Sequence, residues 1–208
     1  MSTWTSERAR AALALGAALV LSGCFEPGGM VPSLSRDVPE TRMFRDPGGL
    51  TIVGPRGYCV DPENSRSDGG AGFVLLGGCD VLADARRGPR HHAILSATFA
   101  PADAAPGVRD YAAFMASSRG REMLSRTDDP ATVTILDSRV EGDMLLLHVR
   151  DTSPNTGAPL AQEHWRAAFF TGGHAVMLSV HSTEGSPLAT RTGRSKITDF
   201  ARAVQRAN

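Results

Sequence analysis

The sequence predicts an α+β fold: an antiparallel sheet with flanking helices, packed as a sandwich. Two observations carry this. Strand-like runs come first, one helix-period segment interrupts them, two hairpins follow, and the chain closes on an amphipathic helix. That order segregates strands from helices instead of alternating them, which separates this fold from a parallel sheet with crossover helices. The second hairpin also fixes its own register and buries one face, as shown below.

The domain is expected over residues 49–208. "LTIV" (Leu50–Val53) is a short strand ended by Gly54-Pro55, and "GYCV" a second. "DPENSRSDGGAG" is polar and turn-rich and reads as a loop. "FVLLGGC" (Phe73–Cys79) is a continuous apolar run, hence a buried strand. "HAILSATF" (His92–Phe99) is another, introduced by the basic loop "ARRGPRHH". Val108, Tyr111, Ala112 and Met115 then recur at the spacing of one helical face, with Gly120 expected to interrupt the helix. "ATVTILDSRV", the turn "EGD" and "MLLLHVRD" form the first hairpin.

"EHWRAAFF" and "HAVMLSVHS" form the second hairpin, across Gly172-Gly173. A two-residue Gly-Gly loop favours a primed turn, and the turn sets the register. Trp165 then faces Val180, Ala167 faces Leu178 and Phe169 faces Val176. All six are apolar and on one side, so register and burial agree. The last element is a helix capped by Ser186 with Pro187 at its first position. Its stripe of Ile197, Phe200, Ala201 and Val204 is expected on the sheet face that carries Trp165.

The N-terminus has a different character. Arg8 and Arg10 precede the apolar run Ala11–Leu21, and small residues follow. A charged start, a short apolar middle and a small-residue exit describe a secretory signal. The run is shorter than the roughly twenty apolar residues of a membrane span. "LSGC" (Leu21–Cys24) resembles the lipobox of bacterial lipoproteins. The resemblance implies cleavage after residue 23, diacylglycerol on the Cys24 sulfur and acylation of the new amine. Several acyl chains anchor durably where one binds marginally, at about 0.8 kcal/mol per buried methylene. Phe25, not Asp, follows Cys24, which under the enterobacterial sorting rule implies the outer membrane, facing the periplasm. Residues 24–48 hold four prolines and no periodicity. They read as a flexible tether with an average reach of about 25–30 Å.

With Cys24 lipidated, Cys59 and Cys79 remain in an oxidising compartment, where disulfides persist. A bridge between them is the expected state. No second cysteine pair and no CxxC backed by histidines supports a metal, and a redox pair is usually a close-spaced motif. Without residues 1–23 the chain has about 185 residues, with 20 basic and 21 acidic side chains. That balance argues against nucleic acid and against broad electrostatic binding to membranes. Basic residues are almost all arginine, Lys196 being the one lysine.

Candidate chemistry is sparse. The register places His164 opposite His181, on the face away from Trp165, with His148 on the adjoining strand. A two-residue turn at Gly142-Asp143 would set Asp137 opposite His148, and a three-residue turn would not. Imidazoles on neighbouring strands could bind zinc or copper with a carboxylate completing the set. The plainer expectation is an outward sheet face with ordinary polar residues. "RRGPRHH" gathers Arg86, Arg87, Arg90, His91 and His92, either for phosphate-bearing contacts or as a solvated loop. "GGAGFVLLGG" fails the spacing of a nucleotide loop and leads into a strand, not a helix. Neither a GxSxG elbow nor an SxxK occurs.

The element order over residues 50–206 resembles the PsbP-like fold, a sheet flanked by helices. That family is largely non-catalytic and serves assembly or binding. The sequence therefore leads to a non-catalytic, lipid-anchored envelope protein that requires no cofactor. It would bind a partner protein or an envelope component. The other reading is a metal- or small-ligand-binding lipoprotein using His148, His164 and His181.

Overall fold

The structure, a computed structural model, describes residues 42–103, 107–155, 157 and 159–208. The expected signal sequence, Cys24 and most of the tether lie outside the described residues.

The chain runs β1 (Met43–Arg45), β2 (Thr51–Val53), β3 (Tyr58–Asp68), β4 (Ala71–Gly78), α1 (Cys79–Leu82) and β5 (Ile94–Pro101). It continues through α2 (Val108–Ala116), α3 (Ser118–Leu124), β6 (Val133–Glu141), β7 (Met144–Asp151), β8 (Leu160–Thr171), β9 (His174–Thr183) and α4 (Thr190–Ala207). Strands β3 to β9 form one antiparallel sheet in the order β3-β4-β5-β9-β8-β7-β6, and β1-β2 a separate ribbon. This is an α+β architecture with one disulfide, as the sequence predicts.

Alternation sorts the side chains onto two faces. On one face Val74, Leu76, Leu95, Ala97, Val180, Leu178, Trp165 and Phe169 meet Ile197, Phe200, Ala201 and Val204 of α4. The register is the expected one, Trp165 to Val180, Ala167 to Leu178 and Phe169 to Val176. Gly172 and Gly173 both have positive φ, 54° and 74°, as a primed two-residue turn requires. A Cβ on Gly193 would stand 2.5 Å from Trp165 Cδ1, so the helix backbone lies directly on the indole. On the other face Leu145, Leu147, Val149 and Ala168 pack against Met115 and Leu124 of α2 and α3. Covered on both sides, β7 reads as an unbroken apolar run, "MLLL".

Four expectations change. The tether boundary at residue 48 moves, because Met43–Arg45 pair with Thr51–Val53 and Asp46 and Leu50 are buried. The polar loop after Asp61 is mostly strand, since β3 runs on to Asp68 with a register shift between Asp61 and Arg66. Within that shift the Asp61 carboxylate accepts from the Glu63 and Asn64 N–H groups, and the Ser65 hydroxyl donates to the Asp61 carbonyl and accepts from Leu75 N–H. Side chains thus replace ladder bonds around Pro62, which has none to give, on an edge strand that tolerates it. The break after α2 falls at Ser117, which caps α3 by accepting from Gly120 N–H at 3.2 Å. Gly120 instead lets α3 press on the Phe114 carbonyl and the Met115 backbone, where any Cβ would overlap. Finally, α4 begins at Thr190 without a side-chain cap, and Ser186 bridges to Thr183.

Candidate functional site: an apolar cavity beside the disulfide

Cys59 of β3 and Cys79, directly after β4, are bridged with Cα atoms 4.9 Å apart. Register makes the bridge: Cys59 pairs with Gly77, two residues before Cys79. Both cysteines are buried. The bridge ties the edge strand to the start of α1, a four-residue helix that the sequence did not disclose.

Against α1 lies a cavity of about 290 Å³. Leu75, Val81, Leu82 and Ile94 supply apolar wall, with Asp61 and His92 among its few polar groups. Val81 is 71 % exposed, an aliphatic side chain standing in solvent at the cavity. Gly77 shapes the wall, because a Cβ there would approach Leu82 Cδ1 to 3.1 Å. The loop over Gly88 closes onto Asp80, whose carboxylate fills the space that a Gly88 side chain would need. His92 Nε2 lies 3.4 Å from Asp80 Oδ2. An apolar hollow with a few polar groups orients and holds an apolar moiety.

The three histidines do not form one constellation. His164 does lie opposite His181, with ring centroids 4.5 Å apart. His148, however, pairs with Trp165 and stacks on its indole at 4.5 Å. It therefore occupies the opposite face from His164, because side chains alternate along a strand. The two-residue turn of the first hairpin does set Asp137 opposite His148. Asp137 binds Arg139 at 2.7 Å, while His148 Nε2 meets Glu163 Oε2 at 3.2 Å. Among the described residues, no three His, Cys, Asp or Glu side chains converge to hold a metal.

Nor is the face of His164 an outward polar surface. His164 is buried and accepts from Arg166 Nε at 3.2 Å. Arg166 also donates to the Leu124 carbonyl at 3.2 Å. Burial, the Arg166 charge and His181 hold the His164 imidazole well below its ordinary pKa. Burial, then Arg166 and Arg126, lower His181 to about 3. Burial also lowers Arg166, to about 10, partly offset by Asp151 and Tyr111. A cation placed at these rings would share the site with a guanidinium, so the arrangement opposes zinc or copper.

Next to it, Asp151 is fully buried and accepts from Ser153 N–H at 2.9 Å, the Ser153 hydroxyl at 2.6 Å and Arg126 N–H at 3.0 Å. Arg126 Nε lies 3.2 Å from the same carboxylate. Burial pushes the Asp151 carboxyl up, but the bonds from Ser153 and Arg126 outweigh it and leave the group below its ordinary value. This network seals the sheet against α3. The signals for it were "HWRAAFF", an arginine inside an apolar strand, and "RDTS", an acid followed two residues later by a serine.

Among the described residues no helix is long and apolar enough to cross a membrane. No family model matches the sequence, and no curated protein matches it. The solution structure of cyanobacterial PsbP (CyanoP) from Synechocystis sp. PCC 6803 is similar at a TM-score of 0.43 and 14 % identity, covering 85 % of this chain and 97 % of that one. A likeness of that degree assigns no activity.

Proposed function

We propose that this chain is a lipid-anchored protein of the bacterial envelope that binds and does not catalyse. Acylated Cys24 holds it in the membrane, with the outer membrane and a periplasm-facing domain as the expected place. The domain docks an apolar group of a partner protein or an envelope component.

The observation that carries the binding half is the apolar cavity of about 290 Å³ between β4, β5 and α1, braced by the disulfide. The buried bridge itself supports export. The polar cluster on the other side of the sheet supports a structural role, because its carboxylate and His164 are bonded internally.

Two measurements test the two halves. The neutral fluorophore N-phenyl-1-naphthylamine is expected to bind at one saturable site. Val81→Asp, at an exposed position, should weaken it about ten-fold by placing a charge at the apolar cavity. Unchanged affinity removes the cavity as the site. Cell fractionation of Cys24→Ala should move the protein from membranes to the soluble fraction, and continued membrane association removes the anchor.

A further inference from the structure

A second concavity, of about 360 Å³, lies at the junction of α4 with β1 and the β2–β3 turn. Its lining includes Arg42, Arg56, Lys196 and Arg206 against one carboxylate, Asp199. The whole chain is neutral, with 22 basic and 22 acidic residues, so this concentration is local. Lys196, Asp199, Ala203 and Arg206 recur at the spacing of one helical face and make a stripe about 15 Å long on α4. Arg42 is held against the opposite side, its guanidinium donating to the Gly54 carbonyl at 2.9 Å.

Among the described residues, none of the four cations forms an ion pair with a carboxylate. Lys196 Nζ stands 5.0 Å over the Tyr58 ring, and burial holds its pKa below the ordinary value, with Asp199 offsetting part of the effect. Tyr58 also donates from its hydroxyl to the His91 carbonyl at 2.8 Å. That bond brings the loop of Arg86, Arg87 and Arg90, all exposed, to the same end of the domain. Among the described residues, the groove thus offers forked guanidinium donors and an ammonium that form no salt bridge with a carboxylate, Asp199 being the one acid in its lining. Guanidinium forks match tetrahedral oxyanions bidentately, and lysine adds a point charge.

We propose that this groove binds a phosphate group, carried by an anionic lipid headgroup or by a soluble phosphoester. The site is separate from the apolar cavity and does not depend on the function proposed above. Arg42, Arg56 and Lys196 contact the phosphate oxygens, and Asp199 orients Lys196.

The test uses the full chain carrying Cys24→Ala, so that acyl chains do not hold it to lipid. Co-sedimentation is measured with vesicles containing phosphatidylglycerol and with phosphatidylcholine alone, and inorganic phosphate is titrated calorimetrically. Preferential binding to phosphatidylglycerol, reduced about five-fold or more in Arg42→Gln/Arg56→Gln/Lys196→Gln, identifies a lipid headgroup. Saturable heat with inorganic phosphate, lost in the same variant, identifies a soluble phosphoester. The control Arg109→Gln/Arg119→Gln/Arg139→Gln makes the same charge change at exposed positions on other elements. Equal losses in both variants, or binding in neither arm, overturn the site. If the groove variant fails to fold, Arg56→Glu at an exposed turn residue replaces it, with the same readings.

Discussion

Removing the Cys59–Cys79 bridge should lower the stability of the domain by about 3 kcal/mol. The bridged residues are 20 apart, and a loop of that length gives about 11 cal/mol/K of lost chain entropy in the unfolded state, or about 3 kcal/mol at 25 °C. Strand register already places the two cysteines as neighbours, so the native state needs little rearrangement to accommodate the bond. The measurement is urea unfolding of oxidised and reduced protein, followed by the fluorescence of Trp165, which is buried against His148. Reduction is carried out on the unfolded chain, because both sulfurs are inaccessible in the native fold. With slopes of about 1–3 kcal/mol/M, the midpoint should fall by at least about 1 M. In thermal unfolding the same change corresponds to about 6–12 °C for a domain of this size. A midpoint that stays the same after verified reduction would refute the claim that the bridge restrains the unfolded chain. A fall several times larger would mean that β3 and α1 cannot hold their places without it.

His164 and His181 stay neutral when folded, with pKa values depressed below the usual 6.5. Their contribution is therefore present above pH 6.5 and lost as pH falls toward the folded values, by up to about 2 kcal/mol per histidine at pH 5. Urea midpoints at pH 7.5 and 5 should show that loss, and His164→Asn/His181→Asn should flatten it. Asp151→Asn leaves Arg126 without its buried counter-charge and should cost about 3–5 kcal/mol in urea unfolding, and a loss under 1 kcal/mol would remove the network from any structural role. Gly193→Ala sets two effects against each other. Helix propensity favours alanine by about 1 kcal/mol, but its Cβ would meet Trp165 at 2.5 Å. Overlap should win, with a net loss of about 1–2 kcal/mol by thermal unfolding, and a gain would show that α4 can lift off the indole.

The sheet could be anticipated where turn chemistry and alternation spoke together. Gly172-Gly173 fixed the second hairpin and with it the burial of Trp165, Ala167 and Phe169. The α4 stripe followed from periodicity alone, while its start did not, because Ser186 and Pro187 are equally suited to a turn before a helix. Strand β3 was hidden because Asp61 and Ser65 supply side-chain bonds that look like loop chemistry in one dimension. Among site residues, the pairing of His164 with His181 was accessible from register. What surrounds the pair was not: α2 and α3 cover that side of the sheet near β6 and β7, and packing between distant segments leaves no local mark. His148 was assigned to the wrong face for lack of the β7–β8 register, which crosses a connection with no turn signal of fixed length. Both cavities are assembled from separated segments, and the basic one draws its charge from positions 42, 56, 196 and 206.

The kink at Asp61–Arg66 has a consequence for life at high local concentration. Strand β3 is one border of the seven-stranded sheet, and an unguarded border would template the same border of a neighbouring copy. Pro62 offers no hydrogen there, and the side chains of Asp61 and Asn64 bond to each other. Neighbouring copies would then meet a margin with fewer free ladder groups to pair with.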